Sequence, residues 1–261
     1  MTAVPTVAIA TRDGSASIPL LGLGTWQAGG EEVYRAVRTA LDLGYRHVDT
    51  ATMYGNEAEI GRALADSGVR DEVFVTTKCP PDRVGREDET LEQSLHLLGL
   101  DRVDLWLVHW PPHGEDGSLR MWERFVAAQE RGRAVSIGVS NYSADLIDEL
   151  TSATGVTPAV DQIPWSPSDH DPTLVAELGE RGVVLEGYSA FKRTDMHDPA
   201  LTRVAESHGC TPQQVVLAWH LQRGFVVIPK SVHRDRLEAN LAAVGLQLTD
   251  DELDTIDALG S

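Results

Sequence analysis

Residues 73–78 read VFVTTK, residues 104–108 read DLWLV and residues 136–140 read SIGVS. Each run is short and rich in the β-branched and aliphatic residues that favour strands. Between them, residues 90–98 (TLEQSLHLL) and 119–131 (LRMWERFVAAQER) carry apolar side chains at helical spacing. Strands that alternate with helices in this way pair in parallel, because each helix returns the chain to the start of the next strand. The spacing therefore predicts consecutive β/α units.

The same alternation continues in both directions along the chain. Eight strands are predicted, at Leu21–Gly24, His47–Asp49, Val73–Lys78, Asp104–Val108, Ser136–Ser140, Ala159–Gln162, Val183–Tyr188 and Val226–Pro229. Eight helices are predicted after them, at Glu31–Leu43, Glu57–Ser67, Thr90–Leu98, Leu119–Arg131, Ala144–Thr154, Thr173–Arg181, Thr211–Arg223 and Arg234–Val244. Because no linker or composition change interrupts these pairs, we expect one α/β domain over residues 1–261, a single (β/α)8 TIM barrel.

Two further elements are expected at the ends of the barrel. An N-terminal β-hairpin, with strands at Val7–Ala10 and Ile18–Leu20 around an Asp-Gly turn, is placed to cap the bottom. An amphipathic helix is expected at Leu248–Leu259. Gly22 and Gly24 lie in the first strand, but no G-x-G-x-x-G pattern follows it. That absence argues against a doubly wound dinucleotide-binding sheet.

The charge of the chain limits its partners. The 261 residues include 40 acidic and 22 basic ones, for a net charge of −18 at pH 7. This charge repels nucleic acids and anionic membranes, so neither is expected as a partner, and a phosphorylated ligand would need a local basic pocket. Cys79 and Cys210 are too few for a disulfide framework or a metal cluster. Without a leader or a membrane-spanning run, a cytoplasmic protein that holds no metal is expected.

Polar residues follow nearly every predicted strand, and in β/α barrels the carboxyl ends of the strands meet at the rim where active sites form. They are Asp49, Lys78, His109, Ser140, Asn141, Asp161, Gln162, Tyr188, Ser189, Lys230 and Ser231. Taken singly, Asp49 could cap a turn, His109 could be a core histidine and Lys78 a surface charge. Their conjunction on consecutive strands, with Tyr54 nearby, favours catalysis instead.

Tyr54, Lys78, Asp49 and His109 have the chemistry of a proton-donating set. A phenol has an ordinary pKa of about 10, which is too high for efficient donation at neutral pH. An ammonium group beside it should lower that pKa, and a carboxylate should keep the lysine charged and oriented. The histidine can donate a hydrogen bond to a substrate carbonyl oxygen. Because none of these groups donates hydride, the set predicts a bound reduced cofactor.

Four stretches of the chain resemble motifs of the aldo-keto reductase family. They are GYRHVDTATMYGNE at 44–57, LWLVHWP at 105–111, IGVSN at 137–141 and IPKSV at 228–232. The motifs stand in the family's order, and the similarity extends from the hairpin to the last helix. Among the family, the chain is most similar to bacterial members such as the 2,5-diketo-D-gluconate reductases, which reduce small carbonyl compounds.

The resemblance implies a monomeric enzyme that uses NADPH to reduce aldehydes or ketones to alcohols. It implies a catalytic tetrad of Asp49, Lys78, His109 and Tyr54, with Tyr54 as the general acid. The implied cofactor-binding residues are Thr25, Ser140, Asn141, Gln162, Tyr188, Ser189, Lys230, Ser231, Val232, Arg236 and Asn240. Trp26, Tyr54, His109 and Trp110 are implied to contact the carbonyl substrate. NADPH is expected to bind better than NADH because Lys230 and Arg236 match residues that hold the 2′-phosphate.

Three features depart from the family pattern. Asp161 stands where asparagine is usual, and Ala239 where glutamate is usual. The loop at 190–193 reads AFKR instead of proline, leucine and glycine, so it is bulkier and more basic where the family places the cofactor's pyrophosphate.

Trp165 is a further candidate for the wall of the substrate pocket, with simple packing as the alternative, whereas Trp122 is expected in the core.

Two other functions remain open. In a barrel of this kind, Lys78 or Lys230 could form a Schiff base with a carbonyl substrate, as in an aldolase-like lyase. The chain could also be a non-catalytic NADPH-binding subunit that reports redox state to a partner, although the intact tetrad argues against it. Borohydride trapping on Lys78 without NADPH would favour the lyase, and tight NADPH binding without turnover would favour the sensor.

Overall fold

The structure, a computed structural model, describes residues 3–114 and 116–260. The predicted domain spans 1–261, so residues 1, 2, 115 and 261 of it lie outside the described residues.

The strands form a hairpin and a closed parallel barrel. They are β1 (Thr6–Thr11), β2 (Gly14–Pro19), β3 (Leu23–Gly24), β4 (His47–Asp49), β5 (Phe74–Cys79), β6 (Val103–Val108), β7 (Ala134–Ser140), β8 (Val160–Pro164), β9 (Val184–Tyr188) and β10 (Val226–Val227). Strands β3 to β10 pair in chain order. The barrel closes where Leu21 pairs with Val227 and Gly24 pairs with Lys230, both in parallel. The predicted eight-stranded barrel is confirmed.

The helices surround the barrel and bury their apolar sides against it. They are α1 (Gly30–Leu43), α2 (Glu57–Ser67), α3 (Glu87–Leu98), α4 (Gly117–Glu130), α5 (Ala144–Thr154), α6 (Pro172–Glu180), α7 (Pro199–His208), α8 (Pro212–Gln222), α9 (Arg234–Ala242) and α10 (Asp250–Asp257). The eight predicted helices and the final one are present with small differences in their bounds. Such differences are expected because helix ends fray.

One helix, α7, is absent from the sequence prediction, which has a single helix after the seventh barrel strand. The start of α7 has the usual features of a helix N-terminus: the Asp198 side chain accepts a hydrogen bond from Ala200 N, and Pro199 occupies the first turn. The helix buries Leu201 and Val204 and packs beside α8. The segment is thus a second helical layer between the seventh and eighth barrel strands.

The hairpin covers the bottom of the barrel, as predicted. Strands β1 and β2 pair antiparallel, and Ile9 and Ile18 are buried. The Ser136 hydroxyl, near the start of β7, donates to the Ala10 carbonyl at 2.9 Å. Because the hairpin closes the N-terminal ends of the strands, the carboxyl ends remain open for a site.

The last helix begins later than predicted, at Asp250 rather than Leu248. A capping box sets this start: the Thr249 hydroxyl accepts from Glu252 N, and the Glu252 side chain accepts from Thr249 N at 2.8 Å. Such reciprocal bonds satisfy backbone donors that have no partner inside the helix.

Candidate active site

A cavity of about 600 Å³ opens at the carboxyl ends of the barrel strands. It is lined by most of the residues predicted to converge there: Asp49, Tyr54, His109, Ser140, Asn141, Gln162, Tyr188, Ser189 and Lys230, with Trp26 and Trp110 at its rim. Lys78 lies just beneath it, with its side chain fully buried. The barrel therefore brings the predicted tetrad to one place.

The Asp49–Lys78 ion pair forms the floor of this site. Lys78 Nζ donates to Asp49 Oδ1 at 2.6 Å and to the Thr50 carbonyl at 2.9 Å. Burial is the largest single effect and by itself would lower the pKa of Lys78. The charges of Asp49, Tyr54 and Glu186, together with the hydrogen bond to Asp49, outweigh it, so the pKa is raised. Lys78 consequently stays an ammonium group at neutral pH and cannot be a free amine there.

Tyr54 completes the chain of contacts from the floor to the cavity. Its hydroxyl accepts from Lys78 Nζ at 3.4 Å, and its ring lies edge-on to the His109 ring at 5.7 Å. Burial raises the Tyr54 pKa, while the charge of Lys78 lowers it only in part. The prediction that Lys78 brings this pKa below its ordinary value is therefore wrong for the protein alone, because loss of solvent outweighs the ammonium charge.

His109 is neutral in this environment. Burial lowers its pKa to about 3, and the nearby Lys78 charge acts in the same direction. Its Nδ1 is buried without a hydrogen-bond partner among the described residues. A neutral imidazole has one N–H to donate, so the ring can offer a hydrogen bond without adding a positive charge to the cavity.

A hydrogen-bonded network orders the polar side chains opposite Tyr54. The Tyr188 hydroxyl donates to Asn141 Oδ1 at 2.8 Å, and Asn141 Nδ2 donates to Ser140 Oγ at 2.8 Å. Ser140 in turn donates to the Gln162 carbonyl at 2.7 Å, and Gln162 Nε2 donates to Asp49 Oδ2 at 2.9 Å. This network links the wall of the cavity to the ion pair, so the site is held in one arrangement.

The backbone is strained around the rim. Gln27, Asn141 and Ser189 have left-handed φ values of 60°, 65° and 58°, which non-glycine residues seldom adopt. Asn141 and Ser189 line the cavity, and Gln27 follows Trp26. Strain of this kind persists where the surrounding structure enforces it and is concentrated at functional sites.

The residues predicted to bind the 2′-phosphate and adenosine of the cofactor do not all line the cavity. Lys230 and Arg236 are exposed, and only Lys230 lines the cavity. Ser231 caps a turn by accepting from His233 N at 3.2 Å. Asn240 is buried on α9. The cofactor contacts of these residues stay predictions.

Two other predicted cofactor residues lie off the cavity. Val232 is half-buried and packs against the core. Thr25 is buried behind the rim, where its hydroxyl donates to the Asp49 carbonyl at 2.9 Å. The bond from Thr25 positions the backbone of a tetrad residue, and its predicted contact with the nicotinamide is not tested by these distances.

Trp165 packs in the core and does not line the cavity. It is 1% exposed, with edge contacts to Phe225 and His170 at ring distances of 5.5 and 5.9 Å. Of the two alternatives for Trp165, the structure supports packing over a pocket wall, because the ring contacts Phe225, just before β10, and His170, at the end of the 3₁₀ turn after β8. Trp122 is buried as predicted and donates to the Val156 carbonyl at 3.1 Å.

Several residues at the site were not predicted from the sequence. Met53, Phe191, Ile228 and Pro229 line the cavity. Met53 lies within the first motif, next to Tyr54, but its residue type gave no chemical reason to single it out. Glu186 is fully buried in β9, where neither carboxyl oxygen has a hydrogen-bond partner among the described residues and Oε1 lies 3.7 Å from His47 Nε2. Burial raises the pKa of Glu186 to about 8. The sequence does contain a signal for this residue, since a glutamate interrupts an otherwise apolar predicted strand.

Asp161, the departure from the family pattern, is fully buried beside the network. Its Oδ1 accepts from Tyr142 N at 3.5 Å, and its Oδ2 has no partner within residues 3–114 and 116–260. Burial raises its pKa to about 7, against a smaller lowering by the backbone bonds. The carboxyl is thus kept partly protonated near neutral pH.

We expect Asp161→Asn to stabilise the protein at pH 8 and to flatten the pH dependence of its unfolding free energy. Because the folded-state pKa of Asp161 lies above its ordinary value, its contribution to stability is complete below about pH 4 and is lost as pH rises to about 7. The gain at pH 8 should be on the order of 2–4 kcal/mol. Urea unfolding at pH 5 and pH 8 measures it, with exposed Asp42→Asn as control. Parallel pH curves for the wild type and Asp161→Asn would contradict the assignment.

Two absences hold for the described part of the chain. No three histidine, cysteine or acidic side chains there are grouped so as to hold a metal ion. None of its helices is both long enough and apolar enough to cross a bilayer.

Comparison with known proteins gives the site its context. Residues 20–261 match the model of the Aldo/keto reductase family. The chain is 41% identical to methylglyoxal reductase DkgA of Salmonella typhimurium, over 98% of this chain and 94% of the relative. It is 38% identical to glycerol 2-dehydrogenase (NADP(+)) of Saccharomyces cerevisiae, over 91% and 86%.

Solved structures agree with these sequence matches. An aldo/keto reductase from Brucella melitensis superimposes with a TM-score of 0.94 at 37% identity, over 99% of both chains. A Gox0644 variant in complex with NADPH superimposes with a TM-score of 0.91 at 35% identity, over 98% of this chain and 94% of that one. The chain therefore belongs to the aldo/keto reductase family of oxidoreductases.

Proposed function

We propose that the protein reduces aldehydes or ketones to alcohols with NADPH, and that Tyr54 is the general acid. One observation carries the proposal: a buried Asp49–Lys78 pair bonds the Tyr54 hydroxyl at the base of a cavity, beside a neutral His109. Two relatives, one named as a methylglyoxal reductase and the other as a glycerol 2-dehydrogenase (NADP(+)), support the same chemistry.

The residues present fit a nicotinamide cofactor. Tyr188 is half-buried on the cavity wall, where an aromatic face can stack on a planar ring. Ser140, Asn141 and Gln162 place amide and hydroxyl groups on the same wall as Tyr188, and such groups can hydrogen-bond to the carboxamide of a nicotinamide. Lys230 lines the cavity just after the eighth barrel strand, where β/α barrels often bind phosphate, and its positive charge suits a phosphate group. When bound, NADPH supplies the hydride that the protein lacks.

The side chains of the tetrad then handle the oxygen of the substrate. The neutral His109 donates a hydrogen bond to the carbonyl oxygen and orients it. The Tyr54 hydroxyl donates its proton to that oxygen as negative charge develops on it. Lys78, held by Asp49, stabilises the resulting phenolate and so offsets part of the burial that raises the Tyr54 pKa. Proton transfer is therefore coupled to the one buried ammonium of the site.

The same geometry disfavours the lyase. Schiff-base formation needs a neutral amine, whereas Lys78 is buried in an ion pair that raises its pKa. Lys230 is exposed, and no contact among the described residues joins it to Asp49, Tyr54, Lys78 or His109.

The substrate end of the cavity is apolar. Trp26, Met53 and Trp110 stand exposed around Tyr54, at 56%, 63% and 47% of their full surface. These three side chains carry no charge, so we expect small uncharged carbonyl compounds to be preferred over carboxylate-bearing ones.

The test is consumption of NADPH, followed by its absorbance, against a panel of aldehydes, ketones, α-dicarbonyls and keto sugars. We expect turnover with several members of the panel. Tight NADPH binding without turnover of any member would contradict the proposal and favour the sensor.

We expect the unmodified protein to bind NADPH at least tenfold better than NADH, and a Lys230→Met, Arg236→Met double variant to bring the two within about threefold. The reason is that charge-assisted bonds to phosphate are stronger than neutral ones, although exposure at both residues weakens them. Binding of each cofactor is measured by calorimetry.

A matched control for this prediction is Arg234→Met, on the same helix. The Arg234 guanidinium already pairs with Glu238 at 2.8 Å, so its loss should leave the preference unchanged. Equal affinities of the unmodified protein for NADPH and NADH would contradict the assignment of the 2′-phosphate site.

A further inference from the structure

Trp26 reaches the cavity from a tight turn between β3 and α1, formed by residues 25–28, which we call the Trp26 turn. Ala28 N donates to the Thr25 carbonyl at 3.1 Å and closes the turn. Gln27 has a left-handed φ of 60° there, a conformation that costs glycine little but strains other residues. The Trp26 ring is 56% exposed, so its own packing does little to hold this shape. The turn therefore needs support from its neighbours.

Asn56 supports both ends of the Trp26 turn. Its Nδ2 group donates to the Thr25 carbonyl at 3.0 Å and to the Ala28 carbonyl at 2.8 Å. Its Oδ1 accepts from the Thr50 hydroxyl at 2.8 Å, and the side chain is fully buried. Because an asparagine amide has two hydrogens to donate, both of them are committed to the turn.

The position of Asn56 in the chain makes these bonds unusual. Asn56 immediately precedes α2, at the N-cap, where an asparagine side chain commonly accepts a hydrogen bond from the first turn of its own helix. The Asn56 side chain makes no such bond and instead bonds the Trp26 turn. This use of the side chain indicates a role in the site rather than in the helix.

The bonds from Asn56 and its neighbours reach both ends of a strained segment. Thr25 is also held by Asp49, whose carbonyl accepts from Thr25 N at 3.2 Å and from the Thr25 hydroxyl at 2.9 Å. Ala28, which follows the left-handed Gln27, is held to the segment before α2 through Asn56. A strained conformation persists only where the surrounding structure enforces it, so loss of the Asn56 amide should let the turn relax.

We propose that Asn56 is a positioning residue for the substrate, which acts by holding Trp26 in place at the cavity. This inference rests on the proposed function, in which Trp26 belongs to the apolar end that receives the carbonyl compound. Asn56 itself is buried and lies off the cavity, so it affects the substrate only through the turn that it bonds. Without the Asn56 amide, Trp26 is no longer kept at the end of the cavity that holds Tyr54.

Loss of the Asn56 amide should affect substrate binding more than chemistry. We expect Asn56→Ala to raise KM for an aldehyde about fivefold to tenfold, the size of effect that loss of a hydrogen bond gives. The value of kcat should change by less than about twofold, because the contacts among Tyr54, Lys78 and His109 do not involve Asn56. NADPH affinity, measured by calorimetry, should stay within about twofold, because the polar network opposite Tyr54 is untouched.

A double-mutant cycle with Trp26→Ala tests whether Asn56 acts through Trp26. In the Trp26→Ala background, Asn56→Ala should raise KM by less than about twofold, since the side chain that Asn56 positions is gone. Gln27→Gly added to Asn56→Ala should bring KM part of the way back, because glycine adopts the left-handed φ without strain. A purely structural role for Asn56 would give neither result.

Gln222→Ala is the matched control. The Gln222 amide also bonds backbone, since its Nε2 donates to the Leu248 carbonyl at 3.0 Å and its Oε1 accepts from Leu248 N at 2.8 Å, away from the cavity. Its loss should lower stability but leave KM unchanged. Where Asn56→Ala does not fold, Asn56→Asp takes its place, because it keeps an oxygen to accept from Thr50 but has no amide hydrogens.

A KM of the Asn56→Ala enzyme that lies within about twofold of the unmodified value would overturn the inference. An equal rise of KM in the unmodified and Trp26→Ala backgrounds would do the same, because Asn56 would then act by another route. So would a loss found mainly in the affinity for NADPH. Failure of the unmodified protein to reduce any carbonyl compound would instead contradict the proposed function itself, so the two failures are distinguishable.

Discussion

Replacing Tyr54 with phenylalanine should lower kcat for carbonyl reduction by about 10² to 10⁴-fold, the usual contribution of a general acid. The substitution removes the hydroxyl that accepts from Lys78 at 3.4 Å but keeps the ring beside His109. Because the ion pair and the polar network at Ser140 and Asn141 do not depend on that hydroxyl, NADPH affinity should survive.

Steady-state kinetics and cofactor titration of the same Tyr54→Phe preparation separate these two effects. Tyr34→Phe is the matched control, since its hydroxyl donates to Asp66 at 2.8 Å on the helices outside the barrel. A Tyr54→Phe enzyme that reduces an aldehyde at a near-normal rate would refute the role given to this phenol.

Replacing Lys78 with methionine should damage both activity and stability. Activity should fall by an amount comparable to the Tyr54→Phe effect, and a Tyr54→Phe, Lys78→Met double variant should resemble the worse single one, because the two groups serve one proton transfer. Stability should fall by about 3–5 kcal/mol at pH 8, because Asp49 is left buried without its cation.

The pH dependence of this loss identifies its cause. Burial raises the Asp49 pKa, and Lys78 acts against that rise, so removing Lys78 raises the pKa further. An acid with a raised folded-state pKa stabilises the fold when protonated and loses that contribution as pH rises. The deficit of Lys78→Met should therefore be smaller at pH 5 than at pH 8 in urea unfolding.

A second substitution supplies the control. Asp49→Asn combined with Lys78→Met removes both charges and should recover much of the stability but none of the activity. Equal stability of Lys78→Met and the wild type at pH 8 would contradict the buried ion pair.

The barrel could be predicted from the sequence because its signals are local. Runs such as Val73–Lys78 and Asp104–Val108 are apolar over a strand's length, and helical spacing separates them. Once the strands are placed, barrel geometry puts Asp49, Lys78 and His109 on one rim, so convergence follows without any distance information. The structure confirms this convergence for every tetrad residue.

What the sequence left undetermined depends on tertiary surroundings. The Tyr54 pKa reflects a balance between burial of the phenol and the charge of Lys78, and the motif alone does not show how deeply the phenol is buried. Trp165 follows a barrel strand as a pocket residue would, yet the turn after β8 directs it into the core. Helix α7 carries a cap at Asp198 but lies in a connection that needed only one helix.

Whether Lys192 forms an ion pair depends on the same kind of context. In the sequence it is one of two adjacent basic residues, and nothing local separates it from Arg193. Only the position of Asp169, brought to the loop by the preceding strand, shows which charge is paired and which is free.

Deuterium transfer shows whether the hydrogen added to the substrate comes from the cofactor. The protein is mixed with an aldehyde and with NADPH that carries deuterium at both positions on the reactive carbon of its nicotinamide, and the product is analysed by mass spectrometry. We expect an alcohol that carries one deuterium on the former carbonyl carbon, with no covalent adduct on Lys78. An unlabelled product, or a borohydride-trapped adduct on Lys78 that forms without NADPH, would contradict the proposed function.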